Sequence, residues 1–403
     1  YPKASVSFIP RHMDGFSLPV VSTLRLRAAI GKSGLQPGAF DKFTTFSPLA
    51  SPSGPGVEPE NLGNEDLKPE VSTEWELGGE VGLLENRFGL QVTYWNRLTK
   101  DVLVNRQFAP SGGFLNTQLD NIGEMKAHGL ELGLNGSVFT SDNVSLNLYA
   151  NAAYLSRKVT DMGGAPDLKV GYFRYLTWIK EGFAPGAFFG AIPVDAQYPI
   201  DVNSDNVADS EADLLAFFSE PRAADAFRVA VIDADGDGDL IDHYLGKPQP
   251  DWTGSLGAEL TFLRNFRLNT LFEFKAGDFT VHNLSHQFRY NHAALGRNTP
   301  EVAALEAVLV NPASTPEQRL EAAREYITNY GGGLAPYAGM NAVEKGDYVR
   351  WRELSLTWDV PTSLIERTGL GRLSLTASAP NLALFTGYSG IDPANNVLAP
   401  NQE

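Results

Sequence analysis

Residues 74–81 of this chain alternate without a break. Trp75, Leu77, Gly79 and Val81 fall on one face of an extended strand, while Glu74, Glu76, Gly78 and Glu80 fall on the other. A period of two belongs to β-strands and not to helices. Three acids on one face do not suit the inside of a dry sandwich. They suit a wall with one oily side and one wet side. The scheme recurs along the chain. In 87–95, Phe88, Leu90, Val92 and Tyr94 oppose Gln91 and Thr93. In 143–155, Val144, Leu146, Leu148, Ala150 and Ala152 oppose Ser145, Asn147, Tyr149 and Asn151. In 251–262, Trp252, Leu256, Ala258, Leu260 and Phe262 oppose Thr253, Ser255, Glu259 and Thr261. Residues 267–275, 350–360 and 371–379 continue the pattern.

These segments run about nine to thirteen residues, longer than most soluble strands and matched to a tilted membrane-spanning strand. Aromatic residues cluster at their ends: Trp75, Tyr94, Trp95, Tyr154, Trp252, Trp351 and Trp358. A soluble antiparallel sheet also alternates, but length, aromatic ends and a charged second face together predict an all-β fold. The expected architecture is a portion of an antiparallel transmembrane β-barrel with about eleven or twelve strands. No run of 18 apolar residues offers a membrane helix.

The connections predict the same. Short turns at 83–87, 139–143 and 262–266 alternate with long excursions at roughly 98–127, 157–250 and 277–348. The helix-like stretch 361–371 is a longer member of the short set. Short turns at one end and long loops at the other mark an outer-membrane barrel with its long loops outside the cell. Within the last excursion, Thr315 is an N-cap, Pro316 sits at the first helical position and Gln318 completes a capping box. Apolar spacing at Leu320, Ala323 and Ile327 and a stop at Gly331 predict a helix over 316–329.

The 403 residues carry a net charge of −16, which argues against nucleic acid as a partner. Residues 201–242 hold twelve Asp/Glu against two Arg, so −10 of that charge sits in a tenth of the chain. There are no cysteines, which excludes disulfides and thiolate chemistry. The first residues lack the ordered sections of a signal peptide.

Five motifs in order point to a family. Residues 67–78 (LKPEVSTEWELG), 121–134 (NIGEMKAHGLELGL), 246–257 (GKPQPDWTGSLG), 347–361 (DYVRWRELSLTWDVP) and 381–393 (NLALFTGYSGIDP) resemble the strand motifs of SusC/RagA-type TonB-dependent outer-membrane receptors. That resemblance implies a plugged barrel, and plugged barrels of this kind have about 22 strands. It implies that residues 1–403 are one partial barrel domain, with plug, N-terminal barrel strands and final strand lying outside the sequence. An open half-barrel in lipid is untenable, so strands near residues 1–30 are expected to present an edge to another segment or chain. The implied partners are outer-membrane lipid, TonB through the missing N-terminal part, a SusD-like surface lipoprotein and an oligomeric nutrient.

Candidate sites follow. In 233–246, Asp233, Asp235 and Asp237 hold positions 1, 3 and 5 of an EF-type calcium loop. Gly238 is at position 6 and Asp239 at position 7. Asp242 is at position 10, but position 12 is Tyr244 instead of a bidentate glutamate. Clustered carboxylates favour Ca²⁺; a solvated acidic turn is the alternative. The resemblance also places such an acidic stretch before the 246–251 motif. Asp201, Asn203 and Asp205 repeat the 1-3-5 spacing without the glycine and read as a solvated loop. His282, His286 and His292 read as loop residues. Glu74, Glu76, Glu80, Glu131, Glu259 and Glu273 are lumen-wall candidates. Tyr172, Tyr175, Trp178, Tyr290 and Tyr337 are sugar-stacking candidates, with packing inside the loops as the other reading. No catalytic motif is present, so an enzyme is not expected.

By resemblance the expected function is TonB-dependent uptake of a glycan or peptide oligomer across an outer membrane. The alternatives are a receptor-like barrel acting as a structural or surface-assembly component without transport, and a soluble β-rich binding protein. A requirement for detergent separates the last from the other two.

Overall fold

The computed structural model describes residues 1–10, 13, 18–52, 54–114, 116–170, 177–192, 200–205, 207–230, 243–283, 298–330 and 343–394. Strands β1 (Lys3–Phe8) and β2 (Val21–Leu35) come first. A hairpin of β3 (Thr45–Ser51) and β4 (Gly54–Asn61) precedes four long strands. These are β5 (Glu70–Leu83), β6 (Phe88–Gln107), β7 (Thr117–Thr140) and β8 (Val144–Asp161). Short strands follow: β9 (Leu168–Lys169), β10 (Thr177–Ile179), β11 (Ala187–Gly190), β12 (Ile200–Asp201), β13 (Arg228–Val229) and β14 (His243–Gly246). The chain then forms β15 (Trp252–Phe262), β16 (Phe266–Ala276), β17 (Thr280–His282), β18 (Val343–Lys345), β19 (Tyr348–Asp359) and β20 (Ser374–Thr386).

One antiparallel wall takes ten of these strands in the order β1-β2-β5-β6-β7-β8-β15-β16-β19-β20. That is one or two fewer than the alternation predicts. β1 and β20 are the edges of the wall. Among the described residues no helix is long and apolar enough to cross a membrane, which says nothing about crossing by strands.

The register explains the alternation. β15 and β16 pair end to end, from Trp252↔Ala276 to Phe262↔Phe266, so their apolar residues share one face throughout. The turn between them places Leu263 (φ 49°) and Arg264 (φ 64°) in the left-handed region, a backbone whose twist matches a tight hairpin. Neighbouring turns hold each other. Arg264 donates to Asn143 at 2.7 Å, and Arg87 donates to the Ser137 carbonyl at 2.6 Å.

The predicted excursion over 98–127 is mostly strand. β6 continues to Gln107 and β7 begins at Thr117, leaving 108–116 as the connection. The pattern is hidden because Asp101 (φ 53°) and Gly123 (φ 54°) interrupt both strands at one level, between the pairs Lys100↔Glu124 and Val102↔Ile122.

The apolar face carries two aromatic rows. Toward the long loops, the rings of Trp75, Tyr94, His128, Tyr154 and Trp252 form a chain with centroid spacings of 5.5, 6.4, 6.1 and 5.0 Å. Toward the short turns, Phe262, Phe266 and Trp358 stack at 5.5 and 6.1 Å. Trp252 and Phe262 are ten residues apart on β15. At about 3.4 Å per residue and a tilt of about 40°, the rows lie about 26 Å apart in height, which matches the apolar band of a membrane barrel. Between them, Trp351 stacks on Phe272 at 5.4 Å and donates its N–H to Thr270 Oγ1 at 2.8 Å. Trp95 departs from the expectation of an aromatic end. It lies on the other face, against Gly129, where a Cβ would come within 2.6 Å of its ring.

Helices occupy the loop end, except the last. They are α1 (Glu211–Phe217), α2 (Pro300–Val310), α3 (Pro316–Tyr330) and α4 (Thr362–Ile365). The capping box is made as the spacing requires: Thr315 N–H donates to Gln318 Oε1 at 2.9 Å, and Gln318 N–H donates to Thr315 Oγ1 at 3.3 Å. Leu320, Ala323, Tyr326 and Ile327 of α3 pack with Val302 and Leu309 of α2, Leu214 of α1 and Phe218 just after it. This is the largest buried cluster among the described residues. It joins two long loops into one cap.

Candidate functional site

The second face of the wall is polar and its charges are organised. Glu74 binds Arg97 at 2.6 Å, and Glu80 lies 3.7 Å from both Arg25 and Arg27. Arg27 also donates to Thr93 Oγ1 at 2.5 Å. On the far strands, Glu273 lies 3.7 Å from Arg352, and Arg350 binds Asp392 at 2.6 Å. The six glutamates singled out from the sequence all lie on this face, opposite the aromatic rows. Glu76, Glu131 and Glu259 have no ion-pair partner among the described residues. A surface with some fixed and some free carboxylates can repel anions and bind cationic or hydroxyl-rich groups.

The rim at the loop end is built by the sequence motifs, and they contact one another. The Asn121 side chain accepts from the Lys68 N–H at 2.7 Å and donates to the Lys68 carbonyl at 2.9 Å and the Asp101 carbonyl at 2.8 Å. Glu70 accepts from the Leu103 N–H at 3.1 Å. Gly123 lets β8 approach, since a Cβ there would meet the Asp161 carbonyl at 1.6 Å. These motif residues therefore clamp backbone; nothing in their geometry suggests contact with a ligand. The signal for them was the motif, but their partnership spans 53 residues and no local pattern reveals it.

The return of the long loop into the wall is held in the same way. Gly246 (φ 128°) packs on Thr280, and the Lys247 carbonyl accepts from the Thr280 N–H at 2.8 Å. Asp251 receives an N–H from Leu155 on its carbonyl at 2.8 Å and donates its own to the Gly277 carbonyl at 3.0 Å. Beside it, Asp278 takes hydrogen bonds from Lys345 and, at 2.6 Å, from the Tyr244 hydroxyl. Burial works to raise the Asp278 carboxyl, but those two donors outweigh it and hold it below its usual range. Burial, aided by Asp278, pushes the Tyr244 hydroxyl upward.

A cavity of about 390 Å³ opens between the outer ends of β6–β8 and the small sheet of β9, β10, β11 and β14. Val104, Ile122, Val159, Met162 and Ile179 give it an apolar lining.

The sequence candidates fare unequally. Asp233, Asp235, Asp237, Asp239 and Asp242 lie outside the described residues, as do His286, His292, Tyr172, Tyr175, Tyr290 and Tyr337. Among the described residues no group of three or more acidic or histidine side chains is placed to hold a metal. In the 201–205 segment Asn203, Ser204 and Asp205 are exposed, as in a solvated loop, but Asp201 is not. The Asp201 side chain is fully buried, binds Arg228 at 2.9 Å, and accepts the N–H groups of Asn203 and Ser204 at 3.1 and 2.6 Å. Ser204, at position 4 of that spacing, takes the left-handed conformation (φ 68°). Trp178 has the ammonium groups of Lys169 and Lys180 over its ring at 5.5 and 5.0 Å, so its face is occupied by the protein itself. His282 is buried, and burial lowers its imidazole to about 4.

Comparison with known proteins agrees with this architecture. The family described as "TonB dependent receptor-like, beta-barrel" matches residues 1–382. TonB-dependent receptor P3 of Formosa agariphila is 27% identical over 399 residues, covering 95% of this chain and 37% of that protein. TonB-dependent receptor SusC of Bacteroides thetaiotaomicron is 30% identical over 105 residues, covering 26% of this chain and 10% of that protein. Among solved structures, the RagAB peptide transporter superposes with a TM-score of 0.73 at 20% identity, covering 97% of this chain and 40% of that one. At that identity the likeness shows a shared fold. The chain spans less than half the length of the curated relatives that it matches end to end.

Proposed function

This chain belongs to the TonB-dependent receptor β-barrel family, and from that premise we propose that it forms part of the wall and outer rim of an importer energised through TonB, taking up a glycan or peptide oligomer. Members of this family are outer-membrane β-barrels. The observation that carries the reading is the two-faced wall, with aromatic rows about 26 Å apart on one side and organised carboxylates and guanidiniums on the other. A wall of this kind needs lipid outside and a polar passage inside. The long-loop end then faces outward, and the fused cap of α1, α2 and α3 stands where a bulky solute arrives. A SusD-like surface lipoprotein is the proposed partner at this rim. The fold shared with a protein described as a peptide transporter supports including peptides beside glycans in the proposed substrate class.

The test is uptake. Deleting the gene for the full receptor should abolish accumulation of a labelled oligopeptide or oligosaccharide, and the full-length gene should restore it. Unchanged uptake of both classes in the deletion strain, when the parent strain carries the folded barrel in its outer membrane, sinks the reading and favours a scaffold. The acidic loop from Asp233 to Asp242 is proposed as a Ca²⁺ staple of the re-entering chain. Calorimetric titration of the receptor with Ca²⁺ should show a site that Asp235→Ala removes; identical titrations would end that idea.

A further inference from the structure

Lys126 on β7 and Lys158 on β8 are direct cross-strand partners. Directly opposed side chains on one face have Cβ atoms about 5 Å apart, and like charges there are destabilising. Both lysines are exposed. Among the described residues neither has a carboxylate within ion-pair distance. Lys100, two rungs further out, does have a carboxylate partner and binds Glu124 at 2.8 Å.

Their position gives the repulsion a meaning. Lys126 is two residues from His128, so it shares the face of the aromatic row, in which His128 lies between Tyr94 and Tyr154. Two residues along a tilted strand raise the lysines about 5 Å above that row, toward the loop end. Aromatic rows mark the level where hydrocarbon gives way to head groups. Ser156, opposite His128, contributes a hydroxyl on the same face. Below, Ala150 and Ala152 on β8 face Leu134 and Leu132 on β7. The rungs between are His128–Ser156 and Leu130–Tyr154, so the two ammonium groups stand directly above the aromatic row and the apolar face that continues below it.

We propose that Lys126 and Lys158, with Ser156, bind the phosphate of a membrane lipid whose acyl chains lie against the apolar face below them. The phosphate supplies the missing counter-charge between two lysines, at the height where lipid phosphates sit. A free anion would satisfy the lysines but would gain nothing from the apolar face that begins just below them, so a lipid is the occupant that fits both features. The site lies on the lipid face and is independent of what the receptor imports.

Native mass spectrometry of the full receptor in detergent tests this with three probes: phosphatidic acid, diacylglycerol with the same chains, and inorganic phosphate. Phosphatidic acid is expected to bind at least tenfold more tightly than diacylglycerol, and K126Q/K158Q should remove that difference. Lys126→Arg with Lys158→Arg should keep it. Heat-modifiable gel mobility confirms that each variant is a folded barrel. Without added lipid, K126Q alone should raise the unfolding temperature by relieving repulsion, and a lowered temperature counts against the proposal. Equal binding of both lipids, or loss of lipid binding to competing inorganic phosphate at equal concentration, overturns it.

Discussion

Arg319 donates from Nη1 to the carbonyl of Phe218 at 2.8 Å across 101 residues of sequence. Phe218 is the C-cap of α1. The same guanidinium donates to the Ser219 carbonyl at 3.2 Å and to the Asn311 carbonyl at 2.8 Å, and Asn311 is the C-cap of α2. A buried cation on α3 thus closes the negative ends of two other helices. Charged hydrogen bonds contribute about 1.5–3 kcal/mol each, so Arg319→Ala should cost the cap about 3 kcal/mol or more. Hydrogen exchange should show lost protection at 211–217 and 300–330 while β5 to β8 stay protected. Protection that survives in the cap would show that the packing of Leu320 and Ile327 suffices.

His282 makes the loop end sensitive to pH. Burial holds its imidazole at about 4, against 6.5 for a free histidine. Between those values an opened segment binds a proton that the folded one does not. Stability is therefore complete above about pH 6.5, declines as pH falls, and levels off near pH 4. Exchange rates at 279–283 and 343–345, corrected for intrinsic pH dependence, should reveal more opening at pH 5 than at pH 7. His282→Gln should flatten the difference; an equally steep profile in the variant would assign it to another group.

The rim clamp should be specific to the amide. Asn121→Asp keeps the acceptor toward Lys68 N–H but loses both donated bonds, and about 2 kcal/mol is expected from the stranded carbonyls. Gly123→Ala should be worse, because its φ is 54° and the Asp161 carbonyl fills the space. Trypsin sensitivity of the 98–127 hairpin in outer-membrane preparations measures both. Resistance equal to the parent in Gly123→Ala would mean that β8 can retreat from the rim.

Trp252 ends the aromatic row and contacts Tyr154 at 5.0 Å. Trp252→Ala removes an interfacial anchor and an aromatic pair, each worth about 1 kcal/mol. The urea midpoint of the barrel refolded into vesicles should fall, whereas Trp95→Ala on the polar face should leave vesicle insertion unchanged. Equal effects of the two variants would contradict the assignment of faces.

The wall was legible because β15 and β16 pair residue for residue, so the period of two survives from end to end. α3 was legible because Thr315 and Gln318 lie three residues apart, within reach of a local pattern. α2 has a weak sequence signal because alanines and Val310 spread apolar residues around its circumference, leaving no clear polar face to mark a helical period, although in the structure only Val302 and Leu309 are buried. The structural part of the candidate site was hidden for a different reason. The partners of Asn121, Asp201 and Arg319 lie 53, 27 and 101 residues away, and only the folded chain brings them together.

The cap also bears on the order of assembly. Its halves leave the wall on either side of the β15–β16 hairpin, after β8 and after β16, and meet again above it. Contacts that span a hundred residues form late, once local pairing has shortened the loop they must close. The hairpin must therefore be seated before Arg319 can reach Phe218. Once that bond is made, the hairpin cannot slide out of register or leave the wall unless the helices above it separate first. The cap serves as a latch on a folding step that has already finished, and its opening rate sets how long this part of the wall persists under load.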